Sequence, residues 1–266
     1  MYILGANINS ELKQSDAGSL IGRGLSKQFG GIFAVNDVSL TCKQGELLGL
    51  IGPNGAGKTT LLNLISGFIA PDNGEIKIGS ERIEGLAPEL CARAGVARTF
   101  QNIRLFGKLT VRQNIEVAYT TATRYRPGNF TASVPEKVIS ILNLEDETDV
   151  KAETLAYGVQ RRVEIARALA LSPSLLLLDE PAAGMNEQET SVLLETIKNI
   201  RQLFGCAIIV IDHDLRFIMN LCDRIYVMHM GEIIAEDVPS KIRYNERVQE
   251  VYLGNKKISE QETLTT

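Results

Sequence analysis

The chain has 266 residues, 44% of them hydrophobic, which is enough for one large domain or two close lobes and excludes wholesale disorder. A net charge of −4 removes the general basic footprint of a nucleic-acid binder. No run approaches the roughly 18 apolar residues that cross a bilayer, and the first residues lack a basic stretch followed by a long apolar one, so no secretory signal is expected.

Residues 1–18 and 255–266 are polar and read as loose tails around one domain over 19–254. The first lobe starts near Leu20, with two short strand-like segments around Phe29–Val35 and Val38–Leu40. A buried strand follows at Glu46–Ile51, then a glycine-rich turn over Gly52–Gly57 and a helix from Lys58 to Ser66, which Gly67 is suited to end. Another strand is expected over Gly95–Phe100. Residues 102–171 read as mainly helical, broken by loops at Arg126–Asn129 and Lys151–Glu153, with Val138, Ile141, Leu142 and Leu144 on one face. A second strong helix spans Gln160–Leu171 and stops before Pro173. It carries Val163, Ala166, Leu169 and Ala170 on its apolar side. Arg161, Arg162, Glu164 and Arg167 are expected mostly away from that side. Leu175–Leu178 and Ala207–Ile211 are continuous apolar runs, as in parallel strands covered on both faces. With a helix over Gln188–Phe204 between them, they indicate an α/β core with a right-handed crossover, interrupted by the helical segment. Cys42, Cys91, Cys206 and Cys222 form no C-x-x-C pair and read as free thiols of a reducing cytosol.

The strongest motif is Gly52-Pro53-Asn54-Gly55-Ala56-Gly57-Lys58-Thr59, which matches G-x-x-x-x-G-K-[ST]. Glycines let successive backbone N–H groups curl around a phosphate, and the helix behind adds its positive end. Lys58 is expected to reach the β- and γ-phosphates and Thr59 to bind Mg²⁺ through its hydroxyl. An idle glycine turn is the plain alternative, but the strand before and the helix after favour a phosphate site. The second motif is Leu175-Leu176-Leu177-Leu178-Asp179-Glu180. Two acids at the end of an apolar strand are costly without work to do. Asp179 stands where a carboxylate can hold the Mg²⁺ shell, and Glu180 where it can orient or deprotonate the attacking water. His213 follows the strand Ala207–Ile211, at the carboxyl end where parallel sheets bind ligands, and is suited to sensing a γ-phosphate. Gln101 reads equally as a contact to metal or water and as a polar strand terminus. Phe29 reads equally as an adenine platform and as a core aromatic.

Taken together, these residues resemble the ABC-transporter ATPases over roughly residues 20–254. Leu155-Ala156-Tyr157-Gly158 falls between Gln101 and Asp179 in that family's order. Several stretches look like the ATPases of branched-chain amino acid importers. They are Phe29-Gly30-Gly31 with Ala34-Val35-Asn36, Arg98-Thr99-Phe100-Gln101 with Arg104-Leu105-Phe106, and Pro181-Ala182-Ala183-Gly184-Met185-Asn186. The ending Val251-Tyr252-Leu253-Gly254 is similar too, and some lipopolysaccharide-export ATPases share it.

The resemblance implies an α/β fold: a P-loop NTPase (RecA-like) core of the ABC type over about 19–101 and 172–240. An antiparallel β subdomain and a helical subdomain over about 102–171 would complete it. It implies ATP and Mg²⁺ as cofactors. Phe29 would stack on adenine; Gly55, Gly57, Lys58, Thr59 and Thr60 would hold phosphates and metal. Glu180 would be the base, and His213 the γ-phosphate switch. Gln101 would link the metal to the membrane partner, docked near Gln101–Leu109. Ala156, Tyr157 and Gly158 would belong to a signature loop that covers the ATP of a second ATPase subunit, a homologue or a copy. Two permease subunits and, indirectly, a substrate-binding protein would complete the assembly, with this chain on the cytoplasmic face of the membrane and no nucleic acid involved. The signature departs from L-S-G-G-Q at Ala156, Tyr157 and Val159, and Asn186 stands where many relatives have aspartate. An exporter ATPase and a soluble ABC protein of translation or repair are the rivals. The chain has one ATPase half, and the sixty or so residues between Gln101 and Gly158 are too few for a repair-type coiled coil. A GTPase is excluded because Asn255-Lys256-Lys257 is followed by Ile258, not by the N-K-x-D pattern.

Overall fold

The computed structural model describes residues 20–126 and 134–252. The expected tails, most of the loop at 126–129 and Leu253-Gly254 lie outside the described residues.

Strands β1 (Leu20–Phe29) and β2 (Ile32–Cys42) form an antiparallel hairpin. Both are longer than the short segments expected. The boundary also differs, because Gly30 and Gly31 have φ values of 52° and 94° and turn the chain between Phe29 and Ile32. Positive φ at both loop positions is what a two-residue hairpin requires. β4 (Asn73–Ile78) and β5 (Glu81–Arg82) extend this into a four-stranded sheet of order β2-β1-β4-β5.

The second sheet has six strands in the order β10-β9-β3-β8-β7-β6. Its members are β3 (Leu47–Ile51), β6 (Val96–Arg98), β7 (Leu175–Asp179), β8 (Ala207–Ile211), β9 (Arg224–His229) and β10 (Glu232–Asp237). All its pairings are parallel except that of the edge strand β10. β3, β7 and β8 are buried throughout, which accounts for their unbroken apolar runs. Side-chain alternation sends each strand's residues into two cores. Leu176 and Leu178 join the core under the helices, whereas Leu175 and Leu177 join the core beneath the antiparallel sheet.

α1 (Lys58–Ile65) follows β3, and α2 (Pro88–Arg93) precedes β6. The segment between β6 and β7 holds α3 (Val111–Tyr125), α4 (Val134–Ile141) and α5 (Tyr157–Leu169). A capping box between Thr110 and Gln113 starts α3. α5 begins three residues earlier than expected, with Ala156 as its extended N-cap. α6 (Glu187–Phe204) is opened by a capping box between Asn186 and Glu189. α7 (Leu215–Leu221), α8 (Pro239–Ile242) and a final short helix over 246–252 complete the described chain.

One expectation is overturned in α5. Arg161 and Glu164 are 0% and 1% exposed and belong to the interior, although their charge suggested a solvated face. Each neutralises the other, Arg161 Nη1 donating to Glu164 Oε2 at 2.9 Å, and that pairing is what permits burial. The four cysteines are buried and free. No helix among the described residues is long and apolar enough to cross a membrane.

Candidate functional site

The loops after β3, β7 and β8 emerge side by side at the carboxyl edge of the parallel sheet, where ligands bind in open α/β folds. The loop after β3 is shaped by glycines that no other residue can replace. Gly52 and Gly57 have φ values of 152° and 103°. A Cβ on Gly52 would lie 2.2 Å from the Met228 carbonyl oxygen, and one on Gly57 would lie 2.1 Å from that of Ala34. Gly57 caps α1 from a left-handed conformation, so the first N–H groups of the helix face the loop's interior. Lys58 Nζ folds over the loop and donates to the carbonyls of Gly52 and Pro53 at 2.6 and 3.0 Å. Burial lowers the Lys58 pKa, opposed by the carboxylates of Glu180 and Asp179. A half-buried ammonium, set among amides that point inward, is suited to a polyanion.

A cavity of about 200 Å³ opens over this loop. Asn54, Gly55, Ala56, Gly57, Lys58, Thr59 and Thr60 line it, together with Glu180 and Ala34. The structure therefore brings the phosphate-loop candidates and the proposed base to one concavity. Glu180 has a φ of 48°, a left-handed conformation uncommon for a non-glycine residue, and its N–H is held by Ile211 O at 2.8 Å. Such strain, held by the surrounding sheet, turns the carboxylate of Glu180 out of the strand direction. Gln101 Nε2 donates to Glu180 Oε2 at 2.8 Å, and His213 Nδ1 lies 3.9 Å from the same oxygen with its ring 71% exposed. Gln101, Glu180 and His213 thus form one group.

Asp179 lies behind them, buried, with its N–H donating to Thr99 Oγ1 at 3.3 Å. Its Oδ2 accepts from Arg98 Nη2 at 2.8 Å. Among the described residues no cluster of three or more His, Cys, Asp or Glu side chains is fit to hold a metal alone. A Mg²⁺ that binds with few protein ligands and takes the rest from phosphates suits the hydroxyl of Thr59, the carboxylate of Asp179 and the amide oxygen of Gln101, all hard oxygen donors.

Two groups of candidates lie apart from this concavity. Phe29 ends β1 with 48% exposure, its ring 5.7 Å from Lys27 Nζ, and is not among the residues lining the cavity. Ala156 and Gly158 line a separate cavity of about 440 Å³ with Met185, Glu189 and Val192 of the α6 region. Tyr157, 47% exposed, accepts at its hydroxyl from Arg161 Nη2 at 3.2 Å. No phosphate-loop residue borders that second cavity.

Residues 35–183 match the family described as ABC transporter. The chain belongs to the ABC transporter family. The high-affinity branched-chain amino acid transport ATP-binding protein LivG of Salmonella typhimurium is 41% identical over 244 residues, covering 87% of this chain and 96% of LivG. The lipopolysaccharide export system ATP-binding protein LptB of Haemophilus influenzae is 35% identical, covering 88% of this chain and 97% of LptB. The fold is similar to the ADP conformation of MJ1267, an ATP-binding cassette of an ABC transporter, with a TM-score of 0.77, 29% identity and coverage of 88% and 98%.

In this ABC ATPase, four residues that contribute at the site escaped the sequence reading. Arg98 was visible only as part of a motif, yet it pairs with Asp179. Arg161 donates to the carbonyls of Phe100 and Gln101 at 2.6 and 2.9 Å, and Glu164 accepts from the N–H groups of Phe100 and Arg104 at 3.3 Å each. The pair therefore fastens the Gln101 loop to helix α5, and its i, i+3 spacing was the available signal. Asp212 is buried and accepts from the N–H groups of Ala182 and Asp214 at 3.1 and 2.9 Å, joining the loop after Glu180 to that of His213.

Proposed function

We propose that this ABC ATPase energises the import of branched-chain or other neutral amino acids, hydrolysing MgATP on the cytoplasmic face of a membrane. The observation that carries the chemistry is the concavity in which Lys58, Thr59 and Glu180 meet under a cradle of backbone amides. Gly52 to Gly57, Lys58 and Thr60 bind the phosphates, and Phe29 offers its exposed ring to the adenine. Thr59, Asp179 and Gln101 would hold Mg²⁺, which would supply charge neutralisation to the phosphates when bound. Glu180 orients the attacking water and accepts its proton. Gln101 donates to the same carboxylate, and His213 stands beside it to contact the γ-phosphate. The barrier is lowered mainly by positioning and electrostatics, as in other phosphoryl transfers.

The separation of Ala156, Tyr157 and Gly158 from the phosphate loop supports a site completed by a second ATPase subunit, a homologue or a copy. Nucleotide that contacts both subunits only when they close then shifts the pair toward the closed state. Two permease subunits, docked against the exposed Arg104 and Phe106, convert closure into alternating access, and a substrate-binding protein delivers the amino acid. The higher identity to LivG than to LptB supports import over lipopolysaccharide export.

Glu180→Gln tests the chemistry. The variant is expected to bind MgATP with wild-type affinity, to lose at least about 100-fold in turnover, the lower end of general-base catalysis, and to accumulate a closed dimer on size-exclusion chromatography. Wild-type turnover in the variant would refute the base assignment.

A further inference from the structure

Arg98 is the last residue of the edge strand β6, and its guanidinium is almost wholly buried beside Asp179, with side-chain exposures of 6% and 8%. It is anchored on both sides of the site. Nη2 donates to Asp179 Oδ2 at 2.8 Å at the end of β7. Nη1 donates to Asn63 Oδ1 at 2.7 Å and to Ser66 Oγ at 3.0 Å, both on the same face of α1 and its C-terminal cap. Ser66 Oγ is itself fixed by donating to Leu62 O at 2.6 Å. Two rings in edge-to-face contact, Phe68 and Phe100, enclose the guanidinium with centroids 5.8 and 5.2 Å from its carbon. A planar fork with several donors, held this way, fixes both position and angle of its partner carboxylate.

α1 is the helix whose N-terminus carries Thr59, and β7 is the strand whose end carries Asp179. With Gln101, these are the residues proposed to hold the cation. No main-chain ladder joins the two elements directly, because β8 stands between β3, from which α1 springs, and β7 in the sheet. Arg98 is the side chain that spans from one to the other. It engages Oδ2 of Asp179 alone, so one carboxylate oxygen stays available to the metal.

We propose that Arg98 is a positioning residue for Mg²⁺, tying the Asp179 carboxylate to helix α1 and thereby fixing where that carboxylate stands relative to Thr59. This rests on reading the concavity as an MgATP site. Arg98 touches neither nucleotide nor metal; it acts through Asp179. Phosphate binding by the loop amides and Lys58 does not depend on it, so its effect falls on the Mg²⁺-dependent part of nucleotide affinity.

The test is a titration of the full chain with a fluorescent ATP analogue, in excess EDTA and across a range of Mg²⁺ concentrations. The wild type is expected to bind in EDTA and to tighten with Mg²⁺. Arg98→Met is expected to keep its affinity in EDTA and to lose about 10- to 100-fold of the tightening by Mg²⁺, the usual effect of removing the partner that orients a metal ligand. Arg98→Lys is not expected to restore it, since one ammonium cannot reach all three acceptors in the same plane. Asn63→Ala with Ser66→Ala cuts the tether to α1 but keeps the Arg98–Asp179 pair, and is expected to show a smaller loss of the same kind. That double variant decides the matter if Arg98→Met does not fold. Full retention of the Mg²⁺ effect, or tighter metal binding, in a folded variant would overturn the proposal while leaving the site intact. Absence of ATP binding by the wild-type chain would overturn the site, and the role of Arg98 with it.

Discussion

Arg161 and Glu164 are the most exacting test of how the interior of this ATPase is held together. Arg161→Met removes four donated hydrogen bonds, to Phe100 O, Gln101 O, Glu164 Oε2 and Tyr157 Oη, and leaves the Glu164 carboxylate buried without its counter-charge. Breaking a buried pair from one side costs about 3–5 kcal/mol. At about 2–4 °C per kcal/mol for a chain of this size, the melting temperature is expected to fall by about 6–20 °C. Glu164→Leu carries a cost of the same order, because it leaves the guanidinium unpaired and frees the N–H groups of Phe100 and Arg104. The double variant Arg161→Met with Glu164→Leu removes both charges. Its cost is expected to fall below the sum of the singles by about 1–3 kcal/mol, the coupling range of residues in direct contact. Differential scanning calorimetry of the four proteins at one scan rate and pH reads all three quantities. Additive losses, or a single loss under about 1 kcal/mol, would refute the ion pair as the fastener of the Gln101 loop.

Two shorter predictions complete the set. Gly57→Ala places a methyl 2.1 Å from Ala34 O at a φ of 103°, so ATP binding measured by a fluorescent analogue is expected to be lost, with a drop in thermal stability; a variant that binds normally would contradict the described loop. Asp212 has its pKa raised, first by burial and further by Glu180, against the Asp214 and Ala182 N–H groups and His213. Its protonated form is therefore favoured in the folded chain, and the associated stability is present below the ordinary carboxylate pKa and lost as pH rises through the raised value. Asp212→Asn lacks that titration, so its stability relative to wild type is expected to improve as pH climbs above about 4, whatever its constant offset; denaturant melts at several pH values showing a flat difference would refute this.

The legible parts of the chain were those in which one local rule decides the outcome. Leu175–Leu178 and Ala207–Ile211 can only be strands covered on both faces, and G-x-x-x-x-G-K-T between strand and helix has one common geometry. The hairpin boundary was misplaced because apolar Ile32 and Phe33 continue the strand pattern across Gly30-Gly31, and only the positive φ of both glycines marks the turn. β9, β10 and α7 went unread because their runs are short and partly polar, and pairing with β3 gives β9 its place. Arg161 and Glu164 were misjudged, and Arg98 went unread beyond its motif, for a different reason. Charge normally reports solvent, and it reports the interior only when a counter-charge is in position to be buried with it. Arg98 lies 81 residues from Asp179 in sequence, beyond any local pattern.

The strand that launches the phosphate loop has neighbours drawn only from the far end of the chain. β3 pairs with β8 and β9, both more than 150 positions downstream, and the Cβ-free Gly52 rests against Met228 of β9. During synthesis, β3 therefore lacks its sheet neighbours until residues near 230 have left the ribosome. Contacts so distant in sequence close late and carry a large loop-closure cost. The order of the strands in the sheet thus ties the start of the chain to its last third, and the loop around Lys58 takes its shape from residues that are made long after it.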